Sequence, residues 1–178
     1  LTAGKGERVT YLLNDGSRVI LHAGSRLEVP IRYNVDSREL FLKGEAYFEV
    51  THDATKPFIV HSGHAYTQVL GTKFLVQAWN IADGEVEVVV AEGKVAFGDS
   101  RSKGSVTKEV ILTENQKGSL TGDGGPVITD NADLDWYLGW TKGRLVFDNR
   151  PLREIIPRLE RWYVLDIETE ERRIREKN

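Results

Sequence analysis

Between residues 8 and 120, apolar side chains recur at every second position in short runs closed by glycine-containing turns. A period of two lines one face of a pleated strand. Val9, Tyr11 and Leu13 form one such face, and Ala46, Phe48 and Val50 a second. Phe74, Val76 and Ala78 form a third, and Val86, Val88 and Val90 a fourth. Between the runs stand Asn14-Asp15-Gly16, Ala23-Gly24-Ser25, His61-Ser62-Gly63, Asp83-Gly84 and Glu92-Gly93. Glycine and Asp-Gly supply the positive φ of tight turns. No helical period competes, so the region is predicted to be all-β.

One recurrence is more specific. The triplet Gly-Ser-Arg occurs at residues 16–18 and again at 24–26. The spacing leaves strands of about four residues, roughly 13 Å each. Long sandwich hairpins do not fit it. Short rungs of a small solenoid or a tightly wound barrel do, and a twisted β-solenoid is the expected form. Arg18 and Arg26 then hold equivalent, solvated places beside the turns.

Residues 121–135, rich in Gly, Asp and Asn, read as a connection. Beyond it the pattern changes. Arg144-Leu145-Val146-Phe147 reads as a strand, and Asp148 or Asn149 as a helix cap with Pro151 in the first turn. Leu152, Ile155, Ile156, Leu159 and Trp162 or Tyr163 follow at helical spacing. Pro157 is expected to kink or shorten that helix. Val164–Glu168 reads as a second strand. Two parts are expected: an all-β domain over residues 1–135 and a β-α-β module over 136–178.

Composition removes several functions. The chain has no cysteine, which excludes disulfides, thiolate metal sites and a cysteine nucleophile. The net charge of -3 and the lack of a basic run with aromatics argue against nucleic acid. No methionine is present and the chain opens Leu1-Thr2-Ala3-Gly4, so a fragment is expected, with any membrane anchor outside it. No stretch approaches the roughly 18 apolar residues of a membrane helix.

Catalytic constellations fare poorly. His61 and His64 straddle a turn and His52 sits beside Asp53, but no third metal ligand has a recognisable spacing. Ser62, His52 and Asp53 lack a nucleophile elbow, and adjacent His and Asp cannot easily form the base–orienter pair. Glu45 and Glu49 share a strand face that reads as the solvated one. Gly122, Gly124 and Gly125 precede no helix directly and make no phosphate loop. Neither enzymatic activity, metal nor cofactor is expected.

The motifs resemble those of FecR-type proteins. Leu13-Asn14-Asp15-Gly16-Ser17-Arg18-Val19 with Ala23-Gly24-Ser25-Arg26-Leu27 is similar to the family's "L-x-D-G-S-x-V … A-G-S-x-L". Leu42-Lys43-Gly44-Glu45-Ala46-Tyr47-Phe48-Glu49-Val50, Lys56-Pro57-Phe58-Ile59-Val60, Val69-Leu70-Gly71-Thr72-Lys73-Phe74 and Val90-Ala91-Glu92-Gly93-Lys94-Val95 follow in the family's order. Gly143–Asp148, Pro151-Leu152 and Leu159–Tyr163 resemble the first half of the closing module, which is similar to the short N-terminal domain of secretins and TonB-dependent receptors. Asn115 stands where the family has glycine, and asparagine tolerates the same left-handed turn.

The resemblance implies the periplasmic part of a single-pass inner-membrane regulator of an ECF sigma factor. Its implied partner is the signalling domain of an outer-membrane TonB-dependent transporter, often one for iron chelates. The sigma factor would be met only through a cytoplasmic segment absent from this sequence. Residues 141–178 carry 10 Lys and Arg against 8 Asp and Glu, whereas residues 1–140 carry 14 against 19. That contrast and an open strand edge put Arg144, Val146, Asp148, Arg153 and Arg161 forward as partner-binding residues. The rival readings are a carbohydrate-binding or carbohydrate-active β-domain and a structural β-domain without signalling.

Overall fold

The computed structural model describes residues 1–80, 85–101, 109–122 and 124–168. The expected Asp83-Gly84 turn and the charged stretch after residue 168 lie outside the described residues. Twelve strands form one continuous sheet: β1 (Val9–Leu12), β2 (Arg18–Leu21), β3 (Arg26–Glu28), β4 (Arg38–Glu49), β5 (Phe58–Ser62), β6 (Ala65–Val69), β7 (Lys73–Asn80), β8 (Glu85–Glu92), β9 (Lys94–Asp99), β10 (Glu109–Thr113), β11 (Lys117–Leu120) and β12 (Val127–Thr129). Helix α1 (Leu134–Leu138), a 3-10 turn (Gly139–Lys142) and helix α2 (Leu152–Tyr163) close the chain.

The twelve-residue β4 is the spine. Its first half pairs antiparallel with β3 and parallel with β5; its second half pairs antiparallel with β2 and β7. The sheet then runs outward as β5-β6-β9-β10 on one arm and β7-β8-β11-β12 on the other. Gly93 (φ +95) and Asn115 (φ +64) carry the chain from one arm to the other, between β8 and β9 and between β10 and β11. The arms therefore curl over one another into a nearly closed, barrel-like sheet, and Asn115 takes the left-handed turn its side chain permits. Even-numbered residues of β4 from Leu40 to Phe48 point inward. They join Phe74, Val76, Val88, Val90, Phe97 and Leu112 in a core sealed from water. All four alternating faces read from the sequence supply this core.

The short-rung reading is corrected by the pairing. The two Gly-Ser-Arg corners bound β2, and both fasten onto β4 rather than onto successive coils. Ser17 Oγ accepts from the Thr51 amide at 3.1 Å, and Ser25 Oγ from the Glu45 amide at 2.9 Å. A Cβ on Gly44 (φ +102) would stand 2.6 Å from Ser25 Oγ, so only glycine lets the second corner cross β4. Arg18 and Arg26 are exposed, as expected, though Arg18 is held by Glu49 through two hydrogen bonds of 2.8 and 2.6 Å.

The β-α-β tail is also corrected. Residues 144–147 and 164–168 are not strands. The Arg144 amide donates to Gly139 O, while Leu145 and Phe147 turn onto a second apolar cluster. Val164 ends α2 in the left-handed region (φ +55), and the amides of Leu165 and Ile167 donate back to the Glu160 carbonyl and carboxylate. Neither segment is paired in the sheet. The N-cap of α2 is Pro151, not Asp148 or Asn149, and the helix runs its full twelve residues through Pro157.

The second cluster explains where the tail goes. The odd-numbered face of the β4–β7–β8 sheet carries Tyr47, Leu75 and Val89, joined by Ile20 of β2. Trp136, Tyr137 and Trp140 lie across them, with Ile155 and Trp162 of α2 beside. Trp140 is among the largest fully buried side chains in the molecule. The N-terminal strand-free residues strap the same region: the Gly6 amide donates to Arg161 O, and Arg8 Nη1 donates to the Trp140 and Thr141 carbonyls.

Candidate functional site

Where α2 leaves the apolar cluster, a cleft of about 420 Å³ opens between it and the outer sheet face. Its floor comes from Gln77 and Trp79 of β7, Glu85 and Glu87 of β8 and Lys117 of β11. Its wall comes from α1 and the stretch from Arg150 to Arg161. The chain brings these together because odd positions of β7 and β8 point outward, and because residues three and four apart in α2 share a face.

Aromatic rings hold the cations in place. Arg158 lies 3.9 Å from the Trp136 ring centre and Arg150 4.8 Å from the same ring. Arg161 lies 4.2 Å from the Trp79 ring centre. Such contacts favour a flat guanidinium stacked on an indole. Arg158 is buried and donates from Nη1 to Trp136 O at 2.8 Å. Arg150 pairs with Asp133 at 3.0 Å, and Lys117 with Glu87 at 2.5 Å.

Beneath the floor, Glu45 is 1 % exposed. Its Oε2 accepts from Gln77 Nε2 at 3.0 Å and Trp79 Nε1 at 3.2 Å, while Oε1 finds no hydrogen-bond partner among the described residues. The expected solvated face is thus wrong at this position, because the helices cover it. His22 sits beside it in a cage of Trp79, Trp140 and Trp162. Burial pushes the His22 imidazole below its ordinary value, against the pull of Glu45. Burial likewise lowers the Arg161 guanidinium, with Glu45 opposing.

Of the residues put forward as partner-binding, Arg153 and Arg161 line the cleft. Arg144, Val146 and Asp148 lie outside it, on the extended approach to α2, with Arg144 and Asp148 exposed and Val146 half-buried. Arg158 is legible from its helical spacing to Arg161, three residues on, whereas Arg150 precedes the helix and is not. Trp79 and Lys117 arrive from distant strands, and nothing local in the sequence marks them.

The catalytic candidates do not assemble. Ser62 Oγ is buried without a hydrogen-bond partner among the described residues, and Asp53 accepts from Thr55 instead. His61 meets Glu39 at 3.2 Å. Among the described residues no group of three His, Asp or Glu could hold a metal. Glu49 faces Arg18 and Glu45 is roofed by helices, so the two form no acidic pair across a cleft. No helix among the described residues is long and apolar enough to cross a membrane.

The comparisons with known proteins agree with this architecture. Residues 1–96 match the family model described as FecR protein, and residues 144–178 match FecR, C-terminal. Two crystal structures of a candidate anti-sigma factor from Parabacteroides distasonis ATCC 8503 superpose with a TM-score of 0.79 at 31% identity, covering 93% of this chain and 75% of that one. No curated protein matches the chain. The first family model spans more than half of the sequence, and the chain belongs to the FecR protein family.

Proposed function

We propose that this chain is the periplasmic signal-transducing region of a transmembrane sigma-factor regulator. In this reading it relays the state of an outer-membrane TonB-dependent transporter to an ECF sigma factor, which meets a cytoplasmic segment outside this sequence. The role is one of contact, not catalysis, and calls for no cofactor. The observation that carries it is the family assignment at both ends of the chain, with an anti-sigma factor as structural neighbour.

The division at residue 135 is kept as a division of roles. The β region acts as scaffold, and residues 136–178 meet the partner. Arg144, Asp148, Arg153 and Arg161 belong to the partner-facing side, with Val146 in support. Mixing the chain with the N-terminal signalling domain of a transporter from the same genome tests the reading. Calorimetry is expected to give a saturable 1:1 complex with at least one such domain. Absence of binding to every signalling domain of that genome would overturn it.

A further inference from the structure

We propose that the cleft between α2 and the sheet seats an extended acidic segment of a protein partner, whose carboxylates pair with Arg153, Arg158 and Arg161. The inference deepens the relay reading and rests on it for the identity of the partner. The cleft is lined by five cationic side chains against three carboxylates. Those carboxylates are partly spent already: Glu87 on Lys117, and Glu154 beside Arg150 at 3.9 Å. Glu45 lies below the floor and offsets part of the charge of Arg161.

The remaining guanidiniums are short of acceptors. A guanidinium carries five N–H donors. Arg158 is 5 % exposed, yet it makes one hydrogen bond and no ion pair among the described residues. Arg161 Nε is buried with no hydrogen-bond partner among them. Arg153 is exposed at the rim and forms no ion pair among the described residues. Guanidiniums already removed from water, stacked flat and lacking acceptors suit bidentate pairing with carboxylates.

Length selects a peptide over a single small anion. Arg153 and Arg161 are eight residues apart on α2, about 12 Å along the axis. That is about four residues of extended chain, with side chains alternating toward the arginines. One small anion would not span the distance from Arg153 to Arg161.

The test is titration of the whole chain with a fluorescein-labelled ten-residue peptide rich in Asp and Glu, read by polarisation and tryptophan emission. Saturable binding that weakens with salt is expected, and none for the same peptide carrying Asn and Gln. Arg153→Glu is expected to weaken binding about tenfold without moving the melting temperature, since Arg153 is at the rim. Arg158→Lys, which keeps the charge but loses the fork and the stack, is expected to weaken it too. Equal affinity for the neutral peptide, no saturable binding, or an unchanged affinity for Arg153→Glu would overturn the proposal. Inorganic phosphate matching the peptide in affinity would overturn it in favour of small anions. A peptide that binds while every transporter domain fails would refute the relay and leave the cleft standing. A transporter domain that binds Arg153→Glu and the unaltered chain equally, with no peptide binding, would do the reverse.

Discussion

Arg38 Nη1 stands 3.2 Å from Asp15 Oδ2, with the two side chains 1 % and 5 % exposed. The pair ties the first Gly-Ser-Arg corner to the start of β4. Arg38 also donates to the carbonyls of Lys56 and Thr51, and Asp15 accepts from the amide and hydroxyl of Ser17. Removing one member of such a buried pair leaves an uncompensated charge, at a cost of about 3–5 kcal/mol. Arg38→Met and Asp15→Asn are each expected to fall in that range by urea unfolding, and the double variant to cost less than the sum of the two.

The same pair sets an acid limit. Burial works to raise the Asp15 carboxyl, but the Ser17 hydroxyl and amide and the Arg38 guanidinium outweigh it and hold it below 3.8. Its stabilising contribution is therefore complete above the unfolded carboxylate range and disappears as pH falls through the lower folded value. Stability of the parent chain is expected to drop more steeply below about pH 4 than that of Asp15→Asn.

Protonating His22 should loosen the helical cover. Its folded value is depressed by burial, with Arg161 and Arg158 adding to the effect and Glu45 opposing it. The neutral imidazole fits the tryptophan cage, so stability is complete above about 6.5 and declines as pH falls toward the folded value. Stability of the parent by urea unfolding is expected to decline as pH falls below about 6.5, and that of His22→Gln to decline less.

The helices are structural, whatever partner they meet. Trp140 is buried against the sheet, and Trp140→Ala is expected to cost about 3–5 kcal/mol. Ending the chain at Gly139 would strip Trp140, Ile155 and Trp162 from the cover over Ile20, Tyr47, Leu75 and Val89. Dye binding to exposed apolar surface is expected to rise in that shortened chain.

Gly71 is a place of close approach. A Cβ there would stand 2.7 Å from both Cα and Cβ of His52, backbone that cannot swing aside. Gly71→Val is expected to destabilise by more than 2 kcal/mol, on the order of an overpacked core site. Lys73→Ala, which removes only the exposed pair with Glu92, should destabilise far less.

Much of this was legible in the chain, and the rest fails for identifiable reasons. Alternation gave the inward residues of β4, β7 and β8 correctly because one face of each meets the main core. It misjudged Glu45 because alternation cannot show what covers the second face. The strands expected at 144–147 and 164–168 have suitable side chains, but a strand exists only where an edge is free to pair with it. The Gly-Ser-Arg recurrence marked two real corners, while their partner, β4, lies too far along the chain for local spacing to reveal. The cleft draws on β7, β8, β11 and α2, so only the part of its wall on α2 was readable.

Photo-crosslinking in living cells tests the central claim most directly. A photoreactive residue replaces Arg153 at the cleft rim, or Ile31, which is fully exposed on a loop away from it, in the full-length regulator. With the transporter's ligand present, a crosslink from position 153 to the transporter signalling domain is expected, with none from position 31. A crosslink from position 31 and silence at position 153 would contradict the account.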